Sequence, residues 1–188
     1  RRFNAIDRAI QKARQELMAQ EDLNFFGALD IAATVENTAQ DINDSGLLKR
    51  DLIDIKKQID GWDNVTAKYF MNINEFTDIL KWGAGGGQGS TGGDFDPVSM
   101  REVLQTGLYG QIFGADIIVS KLVPAGTVYG CADPEFVGVM PVRQDIQVIP
   151  ADEPKQLKLG WVVTSELGIG ILNSRSVAIG RKTTLVNP

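Results

Sequence analysis

Between residues 157 and 171 the chain alternates. Leu157, Leu159, Trp161, Val163, Leu167, Ile169 and Ile171 fall on one face, with only Ser165 interrupting. Period-two alternation is the signature of a strand with one buried face. At ~3.3 Å per residue such a strand would extend about 50 Å, whereas ordinary strands hold ~5–6 residues. Gly160, Gly168 and Gly170 lie on the opposite face, where other backbone can approach closely. Val142, Ile146 and Val148 mark an earlier strand that reaches Pro150, and Asp152-Glu153-Pro154 turns the chain between the two. An isolated two-stranded ribbon is marginal in water. The ribbon therefore needs a cover on one face, and a monomeric globule has little use for the other.

The start of the chain supplies the cover. Phe3, Ile6, Ile10, Ala13 and Leu17 recur at spacings of three and four, with Arg8, Lys12, Arg14 and Glu16 on the other sides. Apolar density resumes at Phe25, Phe26, Leu29, Ile31, Ala32 and Val35. The pattern predicts one helix over residues 3–34, about 45 Å long, with Asp22 to Asn24 or Gly27 as places where it could break. No helix of similar length follows, so this one must pack on a sheet or on another subunit.

Between helix and ribbon the elements are short. Asp44 or Ser45 is positioned to cap a helix with Leu48, Leu52, Ile55 and Ile59 on one face, ended by Gly61. Thr66 to Met71 reads as a strand. Asn72 or Asn74 then caps a brief helix carrying Phe76, Ile79 and Leu80, stopped at Gly83. Asp96-Pro97 opens a helix to Thr106, and Asp133-Pro134 opens another. Asp116 to Ser120 and Thr127 to Cys131 read as two buried strands folded back, hairpin-like, over a turn at Val123-Pro124-Ala125-Gly126. Val177 to Lys182 is a last short strand. The class is α+β.

Composition removes much chemistry. There is no histidine, hence no imidazole base, nucleophile activator or metal ligand. The one cysteine, Cys131, reads as a small buried hydrophobe. Asp133 reads as an N-cap aspartate and Glu135 as a first-turn glutamate, not as a catalytic pair. The net charge is -5 and no basic stripe for nucleic acid is visible. No apolar run is long enough to span a bilayer. Nothing here implies a cofactor, a metal or a catalytic residue. The glycine-rich segment from Gly83 to Gly93 invites a phosphate cradle, but Gly89 stands where the lysine of a nucleotide-binding loop is required. A nucleotide-binding enzyme is therefore the weakest reading. Gly85, Gly86, Gly87, Gln88 and Gly89 are read instead as an adaptable loop between subunits.

The order and spacing of these stretches carry a resemblance. Met71 to Leu80, Ile112 to Tyr129 with its Pro-Ala-Gly turn, Asp133 to Gly138 followed by Arg143 to Val148, and Trp161 to Asn173 followed by Ser176 to Gly180 resemble the major capsid proteins of tailed bacteriophages, the fold known from the Hong Kong ninety-seven phage. That resemblance implies a peripheral domain with a long spine helix and long strands (1–36 and 142–173) and a mixed α/β axial domain (37–141 and 174–188). Pro124, Gly126 and Trp161 would define the fold. It implies a shell subunit that assembles with itself into hexamers and pentamers around double-stranded DNA, without sequence-specific contacts and without a membrane. Portal, scaffold, maturation protease and decoration proteins would be its partners, the virion its location and the host cytoplasm its place of assembly. A nanocompartment shell of the encapsulin type is the alternative within the same fold. The family's N-terminal arm and extended loop have no counterpart before Arg1, so a processed or upstream-truncated chain is expected.

Overall fold

The computed structural model describes residues 2–42, 46–82, 110–151 and 160–182. Several expectations lie outside the described residues: the caps at Asp44 and Ser45, the glycine-rich segment with the helix after it, the turn at 152–154, and strand positions Leu157 and Leu159.

Helix α1 (Arg2–Ala33) is unbroken, so neither residues 22–24 nor Gly27 interrupts it. Its environment changes along its length. Phe26, Leu29, Ala32 and Ala33 are buried, while Ile6, Ile10, Ala13, Leu17 and Glu21 form a half-buried stripe at helical spacing. The last third is thus part of a core, and the first two thirds rest on something narrower. After it come β1 (Gln40–Ile42), α2 (Lys49–Asp60), β2 (Thr66–Met71), α3 (Ile73–Lys81), β3 (Gln111–Ile112), β4 (Ala115–Val119), β5 (Thr127–Ala132), α4 (Pro134–Val137), β6 (Gly138–Val139), β7 (Val142–Pro150), β8 (Trp161–Leu167), β9 (Gly170–Ile171), a one-turn 3-10 helix (Ser174–Ser176) and β10 (Val177–Lys182).

Among the described residues six strands make the central sheet, in the order β1-β10-β5-β2-β4-β3. Here the hairpin expectation fails. Strands β4 and β5 do not pair with each other; β2 lies between them, parallel to β4 and antiparallel to β5. Two consecutive apolar strands do look like a hairpin locally, but the seven residues that part them give the chain room to step over an intervening strand. The deciding partner, β2, lies far upstream, where no local pattern can announce it.

The sheet is covered on both faces. On one, Ile55 and Ile59 of α2 sit directly over Gly130, and Ile55 with Ile42 over Gly180. A Cβ at Gly130 would lie 2.7 Å from Ile55 Cγ2, so these glycines let the helix come down onto the strands. On the other face, Phe26 stacks on Tyr129 (5.7 Å between centroids) and meets Phe70 edge-on at 5.9 Å. Every residue of β5 is buried, as expected of a central strand with helices on both sides.

Local signals differ from expectation at helix ends. The Asp51 carboxylate, at the third position of α2, accepts the Leu48 N–H at 2.9 Å and caps the helix from inside. Burial pushes the Asp51 pKa up, although that hydrogen bond works the other way. Asn72, the first of the two expected positions, caps α3 by accepting the Asn74 N–H at 3.3 Å.

The long ribbon strand is shorter than its pattern. Strand β8 stops at Leu167, and Ile171 belongs to β9, which pairs with β6 in a separate two-stranded patch. Glycines make this step possible. Gly168 N–H donates to Pro141 C=O at 2.9 Å, and Gly138 passes so close to the Gly170 carbonyl that a Cβ there would collide with it.

Candidate assembly surface

Strands β7 and β8 form a two-stranded antiparallel ribbon and, among the described residues, no third strand joins it. One face leans on α1: Val163, Ser165 and Leu167 are half-buried, and Ser165 Oγ donates to Glu21 Oε1 at 2.6 Å. The other face is open. Ile149 and Val162 are paired across the strands and are 46% and 47% exposed. Beyond them Gln144 Nε2 reaches Gln147 Oε1 and Thr164 Oγ1, and Arg143 bridges to Glu166 at 3.2 Å. The ribbon therefore has a helix-covered face and a solvent face of mixed apolar and polar character.

Further apolar side chains surround the junction with the central sheet. Phe136, Val139, Met140, Val142 and Leu172 are each more than half exposed. They adjoin a cavity of about 240 Å³ lined by Phe25, Phe70, Cys131, Val137 and Ile171 among others. Large exposed apolar patches on a folded chain mark contact surfaces. Cys131, as expected, is a buried thiol; burial pushes its pKa up to about 12. Asp133 and Glu135 are exposed at the start of α4, and the Asp133 side chain makes no capping bond. Asp133 instead accepts the Phe136 N–H with its main-chain carbonyl.

The residues taken to define the fold have different fates. Gly126 is buried with φ 78°, a backbone that glycine adopts without strain. The hydrogen-bonded turn runs from Pro124 to Thr127, one residue later than expected, with Gly126 at the third position as a type II turn requires. Pro124 itself is exposed. Trp161 is 41% exposed, at the end of β8, and so is not a core residue of the single chain. The glycine loop residues Gly85 to Gly89 lie outside the described residues.

A buried ionic cluster was not anticipated. Glu75, 1% exposed, accepts the Gly126 N–H at 2.8 Å and pairs with Lys182 Nζ at 3.4 Å. Lys182 also reaches Asp78 Oδ2 at 3.3 Å, and that same oxygen accepts the Leu47 N–H. The cluster ties α3, the turn before β5, and the end of β10. A second clasp joins three segments: Arg175 lies 4.3 Å over the Trp62 ring and near Glu36, while Trp62 Nε1 donates to Asn37 Oδ1. Both clasps fasten elements, the first buried and the second, with Arg175, Glu36 and Trp62, at the surface. The only sequence signal was the helical spacing of Glu75 and Asp78.

No family model matches the sequence, and no curated protein matches it. Solved structures do. The virus-like particle from Pyrococcus furiosus superimposes with a TM-score of 0.59 at 15% identity, over 90% of this chain and 64% of that one. Mycobacterium phage Che8 superimposes with a TM-score of 0.63 at 13% identity, over 90% of this chain and 61% of that one. The fold is that of tailed-phage capsid proteins. Within this capsid fold α1 is the long helix and β7 and β8 are the long strands, beside a mixed sheet with its helices. The chain spans less than two thirds of the length of either structure.

Proposed function

We propose that the chain is a subunit of a closed protein shell, the major capsid protein of a tailed phage, assembling into hexamers and pentamers around double-stranded DNA. The observation that carries this reading is the ribbon. It is a two-stranded sheet with one solvent face bearing Ile149 and Val162, attached to a helix whose first two thirds contain no buried residue of their own among positions 6–25. Such a layer is marginal alone and gains its missing contacts from copies of the same chain. In this reading α1 and the ribbon form the peripheral domain and the central sheet the axial domain. The role is structural and not catalytic. Scaffold, portal, protease and decoration proteins are partners during assembly in the host cytoplasm, and the virion is the destination.

Electron microscopy and sedimentation of the chain, expressed alone and with a scaffold, test this. Capsomer rings or closed shells are expected. A monomer at every concentration in both settings would defeat the proposal. Nuclease-protected DNA inside the shells supports the capsid role, and a co-purifying protein cargo in its place would make the chain a nanocompartment shell.

A further inference from the structure

The two edges of the ribbon are unlike. Pairing runs Val142 with Leu167, Gln144 with Glu166, Gln147 with Thr164 and Val148 with Val163. Each irregular step therefore places the extra residue in β7. Bulges, prolines and charges are the devices by which natural edge strands resist further pairing, and β7 carries all of them: two bulges, Pro150 at its end, and Arg143 and Asp145 within it. Strand β8, Trp161-Val-Val-Thr-Ser-Glu-Leu167, has no bulge and no proline.

The main-chain bonds show which groups β8 leaves over. Gly160 C=O accepts from Ala151 N–H at 2.8 Å, and Gly168 N–H donates to Pro141 C=O at 2.9 Å. Alternation along an antiparallel pair then turns the even-numbered residues of β8 toward β7. The N–H and C=O groups of Trp161, Val163, Ser165 and Leu167 point to the edge that no other strand among the described residues joins.

We propose that two copies of this chain pair through β8, antiparallel, about a twofold axis at Thr164. This rests on the shell reading and names its contact. In that register Trp161 meets Leu167 of the second copy and Val163 meets its Ser165. All four outward-facing residues are then used as hydrogen-bonded pairs. Val162 lies opposite Glu166, and Thr164 opposite its own copy, so no like charges face each other. Two marginal ribbons become one four-stranded sheet, and the exposed Trp161 gains an aliphatic neighbour. The axis is perpendicular to the sheet, which puts both α1 helices on one face. The offset between the two Ser165 positions is roughly 8 Å from the rise per residue and strand spacing.

Two variants of the full chain test the pairing. Thr164→Cys places a thiol at a non-hydrogen-bonded pair, where Cα atoms come close enough for a disulfide; the native Cys131 is 4% exposed and does not compete. Mild oxidation should convert most of the assembled chain to a covalent dimer. Val163→Pro removes an outward N–H without touching the bonds to β7, and should abolish the association while leaving circular dichroism unchanged. Shells that form with no Thr164→Cys cross-link and are indifferent to Val163→Pro would overturn the pairing and leave the shell reading standing. Cross-linked dimers with no larger assembly would uphold the pairing and end the shell reading. A monomer throughout would end both.

Discussion

The backbone N–H of Gly126 donates to Glu75 Oε1 at 2.8 Å, joining a tight turn to a buried carboxylate 51 residues earlier. The same oxygen pairs with Lys182, so one atom holds the start of β5, the first turn of α3 and the end of β10 together.

Removing that atom should be costly. Glu75→Ala leaves the Lys182 ammonium without one of its two carboxylates and the Gly126 N–H without an acceptor. A loss of about 1–3 kcal/mol is expected for leaving the buried Gly126 N–H without its acceptor, read as a shift of the urea midpoint, since Lys182 keeps Asp78. Glu75→Gln, which keeps an acceptor for Gly126, should lose less. Equal losses for the two variants would show that the hydrogen bond to the turn is immaterial.

Gly126 should resist replacement for a backbone reason. Its φ of 78° is costly for a residue with a Cβ, so Gly126→Ala should destabilise by about 1–2 kcal/mol. Thermal unfolding checks this.

Gly180 tests the seat of α2. A Cβ there would stand 2.8 Å from Ile55 Cδ1. Gly180→Ala should cost about 1–3 kcal/mol from overpacking. Ile55→Val deletes the offending methyl, and the double variant should lose at least about 0.5 kcal/mol less than the two singles summed. Additive losses would mean that the helix and strand do not press on each other at this point.

Trp161→Ala separates folding from association. With the indole 41% exposed, the substitution should cost the single chain well below the ~3–5 kcal/mol of a buried tryptophan. Its effect should fall on assembly, measured by sedimentation. Tyr69→Ala, with a fully buried ring whose hydroxyl donates to the Leu52 carbonyl, should unfold the chain instead.

Asp60 gives a pH signature. Burial acts to raise its pKa, but the Lys56 ammonium at 3.0 Å and the Thr66 N–H and hydroxyl outweigh it and hold the carboxyl below the usual range. A lowered folded-state pKa means that the stabilisation is complete above the unfolded value of ~3.9 and is lost as pH falls through the folded one. The pair is partly exposed, so the amount is small, below about 1 kcal/mol. Asp60→Asn should flatten the fall in stability below about pH 4, measured by urea titrations across that window.

The elements were legible where a pattern is local. The helix over residues 3–34, the strands at 66–71 and 177–182, and the cap at Asn72 follow from periodicity and side-chain chemistry that act within a few residues. Sheet order was not legible, because β2 separates β4 from β5 through contacts between distant segments. Strand β8 ends before its alternation does. Ile169 and Ile171 continue the alternation of Trp161 and Val163, but Gly168 and Gly170 let the backbone leave the ribbon while the side-chain rhythm persists. The 41% exposure of Trp161 shows the same limit: alternation tells which face a residue is on, and not whether that face is covered within one chain. The Glu75–Lys182 cluster had no sequence signal strong enough to pair two charges 107 positions apart.

The strand order has a consequence for how the chain is made. Strand β10 stands between β1 and β5. During synthesis β5 emerges with one side vacant and β1 with no strand partner, and both are completed only when residue 182 has left the ribosome. Until then the edge of β5 and the fully buried Val177-Ala178-Ile179 segment that will pair with it are apart. Contacts of such long sequence separation form late and slowly. The nascent chain therefore passes through a stage with a sticky open sheet at its centre, at which a neighbouring copy could insert its own β10.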